Sequence, residues 1–190
     1  MSATMPVRAG TDTLTQSYTS VAKMFHWLTV ALLIVQYVTE FGLPRLLPKS
    51  DEGTLIAWHL SVGPTILLVV LLRLAWRLTH PPPPAPVDLS APLRLLSRAT
   101  HWGMYALLIV QPLLGWTAAS AYGATPYLLG VIPLPALVGK DEAFGTQVGH
   151  IHGAVALLLL ALIALHISGA LYHALIKRDG VIWRIMPSRA

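Results

Sequence analysis

Four histidines, His150, His152, His166 and His173, stand in one stretch, Phe144 to Ile176, that contains no Asp, Glu, Lys or Arg. Imidazole binds metals through a neutral nitrogen and titrates near neutrality. Inside a long apolar run such groups are expensive, and they mark sites. A helix turns about 100° per residue and rises about 1.5 Å. The 14-residue separation of His152 and His166 therefore puts them within roughly 40° of one face and about 21 Å apart along the axis. His173 follows on nearly the same face, about 10 Å further on. His150 points almost the opposite way and is expected to be a loop or interfacial residue.

The elements that must hold these side chains follow from composition. The 190 residues are 55% hydrophobic and only 11% charged, with a mean hydropathy of +0.63. Soluble domains carry about 25% charged residues, so the chain is expected to be an all-α integral membrane protein. A single domain spanning 1–190 is expected, built as a four-helix bundle. Residues 1–20 are polar and read as a poorly ordered tail, with no cleavable signal peptide evident. Apolar runs predict transmembrane helices over about 23–41, 54–78, 99–121 and 144–176. Pro81–Pro84 forms a stiff spacer that no helix crosses. Residues 122–142 form a Gly/Pro-rich loop expected to pack across one end of the bundle. Pro64 and Pro112 fall inside the second and third helices.

Cysteine is absent, which excludes disulfides, iron–sulfur ligation and thiolate zinc. The net charge is +5, but no basic stripe interleaves with aromatics, so nucleic acid is not an expected partner. Instead the basic residues report orientation. Arg8, Lys23, Arg73, Arg77, Arg94, Arg98, Lys177, Arg178, Arg184 and Arg189 fall on one side; Arg45, Lys49 and Lys140 fall on the other. Both termini are therefore expected in the cytoplasm. Glu40, Asp51, Glu52, Asp141 and Glu142 all lie on the outer side. Trp27, Trp58, Trp102, Tyr122 and Trp183 fit interfacial aromatic belts.

Placed by depth, His26 and His166 form an inner pair and His59 and His152 an outer pair. Two bis-histidine sites, one above the other, suit the axial ligation of two b-type haems by helices of a bundle. The iron-to-iron distance would approximate the 21 Å rise estimated above. Gly63, Gly153 and Gly169, beside the histidines, would make room for the macrocycles, or simply let helices pack closely. A zinc or copper centre wants three or four ligands at one depth, and each depth offers a pair. His101 and His173 on the inner side leave a cytoplasmic metal site as the alternative.

Tyr18-Thr19 with His26-Trp27-Leu28, His59 with Gly63, Arg73 and Arg77 before the Pro-rich connection, and His101 with Tyr105, Pro112 and Gly115 together form a pattern. So do His152, His166 and His173 with Lys177, Asp179 and Arg184-Ile185-Met186-Pro187. Over residues 18–188 this pattern resembles the bacterial cytochrome b561 family, which includes superoxide oxidase. The resemblance implies a dihaem cytochrome of the inner membrane that exchanges electrons with ubiquinone. It implies His26 and His166 as axial ligands of the inner haem, and His59 and His152 as those of the outer. His101 and His173 would serve the quinone or its proton path, and Arg73 and Arg77 the inner haem propionates or the quinone. In the superoxide oxidase branch, periplasmic superoxide is the donor and ubiquinone the acceptor. The alternative is a haem b relay subunit joining a partner dehydrogenase or hydrogenase to the quinone pool. Thr79 stands where some relatives carry a basic residue. The outer side, with three basic against five acidic residues, shows no strong positive funnel for an anion.

Overall fold

The computed structural model describes residues 17–42, 52–84 and 89–187. The expected polar tail over residues 1–16, and Arg8, Arg45, Lys49, Asp51 and Arg189, lie outside the described residues. Four helices form the architecture: α1, Ser20–Tyr37; α2, Glu52–Thr79; α3, Ala91–Ala121; and α4, Glu142–Leu171. Each belongs to a helical span long and apolar enough to cross a membrane. A π-helical segment, Val38–Gly42, continues α1, and another, Tyr172–Lys177, continues α4. A short 3-10 turn, Val181–Arg184, follows.

Helix limits have local causes. Thr19 caps α1 by accepting from the Ala22 N–H at 3.2 Å, and Asp141 caps α4 by accepting from the Phe144 N–H at 3.0 Å; both satisfy otherwise orphaned donors. The helix expected from about residue 99 begins at Ala91, behind an extended Ser90 and with proline in its first turn, where the missing N–H is harmless. Its 31 residues span about 46 Å, against a hydrocarbon core of about 30 Å. A membrane-length window therefore misses the polar first turns that carry Arg94 and Arg98. Residues 17–19 also depart from the expected loose tail. The Tyr18 N–H donates to the Arg184 carbonyl at 3.1 Å, as does the Ser17 hydroxyl at 2.9 Å.

These bonds bring residues 17–19 and the Val181–Arg184 turn together on one end of the bundle, the termini end. At the other, hairpin end, β1 (Tyr127–Leu128) pairs antiparallel with β2 (Ile132–Pro133), inside the expected 122–142 loop. It is tied to α2 by the Leu129 N–H donating to Thr65 Oγ1 at 3.1 Å.

Close backbone packing joins α1 to α2, α2 to α3 and α3 to α4. α4 meets α1 and α2 chiefly through side chains, as where the Tyr37 hydroxyl donates to the Ala156 carbonyl at 2.8 Å. The core is one apolar cluster of Val62, Ile66, Val70, Tyr105, Leu108 and Leu159. Large apolar side chains such as Ile34, Leu71, Leu157 and Ile167 are exposed instead, as a lipid-facing surface requires. Trp27, Trp58, Trp102, Tyr122 and Trp183 are exposed too.

Candidate functional site

Helix periodicity carries the histidines inward at two levels. At the hairpin end, His59 of α2 faces His152 of α4 with ring centres 6.2 Å apart. At the termini end, His26 of α1 faces His166 of α4 at 6.3 Å. Two imidazole nitrogens holding one metal ion at about 2.0–2.1 Å each would set their ring centres about 6 Å apart. Both pairs span helices that lack close backbone packing, which is where a bulky guest between rings needs space. His150 is exposed, as its heading on the helix predicts.

Leu159 lies seven residues from each of His152 and His166 and is 2% exposed. With Val62, Ile66 and Leu108 it forms an apolar layer between the two histidine levels. That layer separates the sites without offering water or a polar group a foothold.

At the hairpin-end pair, His152 Nδ1 lies 3.1 Å from the Gln111 carbonyl. Donation there fixes the tautomer and leaves Nε2 as the lone-pair nitrogen, the form a metal ligand takes. The Gln111 amide nitrogen now covers that Nε2 at 3.2 Å, and the Gln36 amide nitrogen covers His59 Nε2 at 3.0 Å. Gln36 Oε1, Gln111 Oε1 and His59 Nδ1 are buried without a hydrogen-bond partner. Orphaned buried polar atoms of this kind mark a place built for another group. Glu40 Oε2 stands 3.6 Å from His59 Nδ1. A Cβ on Gly115 would lie 2.9 Å from His152 Cε1, so only glycine leaves this ring its position. Gly153 and Gly169, the expected room-makers, are exposed and face open space; Gly63 makes only ordinary contact with Gln36.

The termini-end pair has cations and a third histidine around it. The ring centre of His101 is 5.0 Å from that of His166, and His101 Nδ1 lies 2.6 Å from the Ser97 carbonyl. The Arg73 guanidinium donates to His26 Nδ1 at 3.0 Å. Metal ligation through His26 Nε2 requires Arg73 to release that nitrogen so that it can carry the proton. Arg73 lies 5.5 Å from the Tyr105 ring centre, while Arg77 lies 5.7 Å from Tyr105 and 5.8 Å from Trp102, within cation–π range. The two arginines thus form a donor-rich patch fit for a carboxylate or a polar head.

His173 is not brought to this pair. Its Nδ1 donates to Asp179 Oδ2 at 2.6 Å, and Oδ1 accepts from the Val181 N–H at 3.2 Å. Burial by itself would raise the Asp179 carboxyl; these hydrogen bonds outweigh it and hold the group below its ordinary value of 3.8. Among the described residues no three His, Asp or Glu side chains gather around a metal-sized site, so a clustered zinc or copper centre has no ligand set there.

Gln36, Gln111 and Glu40 are the contributors that histidine spacing does not reveal. A glutamine inside an apolar run is itself a signal, and both glutamines carry it.

The model of the family described as prokaryotic cytochrome b561 matches residues 17–188. The probable superoxide oxidase CybB of Yersinia pestis is 27% identical over 164 residues, covering 86% of this chain and 92% of that protein. Cytochrome b561 homolog 2 of Escherichia coli K12 is 26% identical over 178 residues, covering 90% and 92%. Cytochrome b561 homolog 1 of the same organism is 27% identical over 172 residues, covering 86% and 93%.

Proposed function

This chain belongs to the prokaryotic cytochrome b561 family, and from that membership we propose that it is a dihaem superoxide:ubiquinone oxidoreductase of the inner membrane. At the coarser level it is a multi-pass membrane electron-transfer protein, of a family that binds haem b. The observation that carries the finer reading is the stacking of two histidine pairs, at 6.2 and 6.3 Å, on either side of an apolar layer. The excess of Lys and Arg at the termini end supports placing it in the cytoplasm. The pair His59 and His152 is then outer, and His26 and His166 inner.

Haem bound between paired imidazoles supplies an iron centre that gains and loses one electron reversibly. His59 and His152 would hold the outer group, His152 oriented by the Gln111 carbonyl, with Gly115 leaving the ring its space. His26 and His166 would hold the inner group. Arg73 and Arg77 would bind its carboxylates or the quinone head. Leu159 and its neighbours keep water and ions out of the interval, so that only electrons cross it. His173, its Nδ1–H held by Asp179, would present the Nε2 lone pair to take up protons at the cytoplasmic face, and His101 stands beside His166 as a second candidate on the proton path. The reaction balances when two superoxide ions lose one electron each to give two molecules of oxygen. Ubiquinone takes both electrons and two cytoplasmic protons to become ubiquinol. The superoxide assignment is supported by the relative named probable superoxide oxidase.

A stopped-flow pulse of superoxide onto purified protein with ubiquinone tests this reading. Haem bands should reduce first and ubiquinol should follow, and superoxide dismutase should abolish both. Reduction that persists with dismutase present assigns another donor, as for a relay subunit of a partner dehydrogenase.

A further inference from the structure

Opposite charges stand at the two histidine pairs. Glu40 lies in the π-helical segment that ends α1, its carboxylate 3.6 Å from His59 Nδ1. That nitrogen has no hydrogen-bond partner, and among the described residues Glu40 is the one carboxylate within ion-pairing distance of it. The other polar groups against this pair, Gln36 and Gln111, are neutral. Among the described residues at this end, Lys140 and Glu142 offset one another at 3.7 Å, and Asp141 caps α4.

At the other pair the sign is reversed. Arg73 touches His26, His101 stands beside His166, and Arg77 shares the Tyr105 face with Arg73. Asp179 is engaged by His173 and the Val181 N–H.

An anion beside a redox metal favours the oxidised, more positive state, and a cation favours the reduced one. Local charge and hydrogen bonding to ligands are among the levers that set such potentials. We propose that Glu40, set against Arg73 and Arg77, orders the two sites so that the inner one holds an electron more strongly than the outer. Glu40 is then a positioning residue for His59, and the ordering gives transfer its direction, from the outer face to the inner. Glu40 is 57% exposed, so solvent and salt screen part of its effect. The inference rests on the dihaem reading above.

Potentiometric titration of the purified protein, followed by haem absorbance, tests it. Two waves are expected, and the lower one should vanish in His152→Ala, which assigns it to the outer site. Glu40→Gln should shift the lower wave upward and leave the upper one in place. Arg77→Gln should shift the upper wave downward, narrowing the gap from the other side. If Glu40→Gln fails to assemble, Arg77→Gln alone decides, because an unchanged or wider gap overturns the proposal. Loss of the upper wave in His152→Ala, or a Glu40→Gln lower wave that stays put, also overturns it while leaving the dihaem reading intact. A protein with no haem waves removes both.

Discussion

His173 Nδ1 lies 2.6 Å from Asp179 Oδ2, across the segment where α4 loosens into a π-helix and the chain reverses through left-handed Arg178 and Gly180. The contact fixes the tautomer of His173 and ties the bundle to its C-terminal turn. Because the Asp179 carboxyl sits below its ordinary value of 3.8, its contribution to stability is present above that pH. It is lost as pH falls through the lower folded-state value. Asp179→Asn should therefore lower the melting temperature at pH 7, by the equivalent of at most about 1 kcal/mol for a solvent-screened pair. The deficit should shrink at pH 3. A deficit that stays constant between the two pH values would remove the Asp179 carboxylate as its cause.

His173→Ala should keep both haems and slow ubiquinol formation, since His173 lies apart from the ring pairs. Single-turnover quinone reduction checks this, and an unchanged rate takes His173 off the proton path. Asp179→Asn should slow the same step less.

Gly115 has no space for a side chain, as a Cβ there would lie 2.9 Å from His152 Cε1. Gly115→Val should displace that ring, at a cost of about 1–3 kcal/mol for overpacking. Haem content should fall from two per chain to one, with the inner spectrum retained. Full occupancy by pyridine haemochrome would show that the ring moves aside freely.

Leu159 fills the layer between the histidine levels. Leu159→Ala should destabilise the bundle by about 2–5 kcal/mol, the range for a buried leucine that leaves a cavity. Thermal unfolding in detergent measures this. A change below about 0.5 kcal/mol, as at surface sites, would mean that the layer is not packed around Leu159.

Much of this was legible in the sequence. Uncharged stretches marked α2 and α4, and a 14-residue interval put His152 and His166 on one face at two depths. The early start of α3 was hidden because Arg94 and Arg98 read as connection, although a helix longer than the membrane carries charge at its end. The π-helical segments left no trace, since one extra residue per turn has no composition of its own. Glu40 reads from sequence only as an outer acid, because nothing in composition marks its approach to His59 from a different helix. Residues 17–19 looked like loose tail, their partners being backbone groups of Arg184, more than 160 residues away.

The dihaem reading places one haem between His59 and His152 and a second between His26 and His166. A dithionite-reduced absorption spectrum with a pyridine haemochrome assay counts the haems. Two haem b per chain are expected in the unaltered protein, with one left in His152→Ala. No b-type bands, or two haems persisting in His152→Ala, would rule out haem ligation by these pairs.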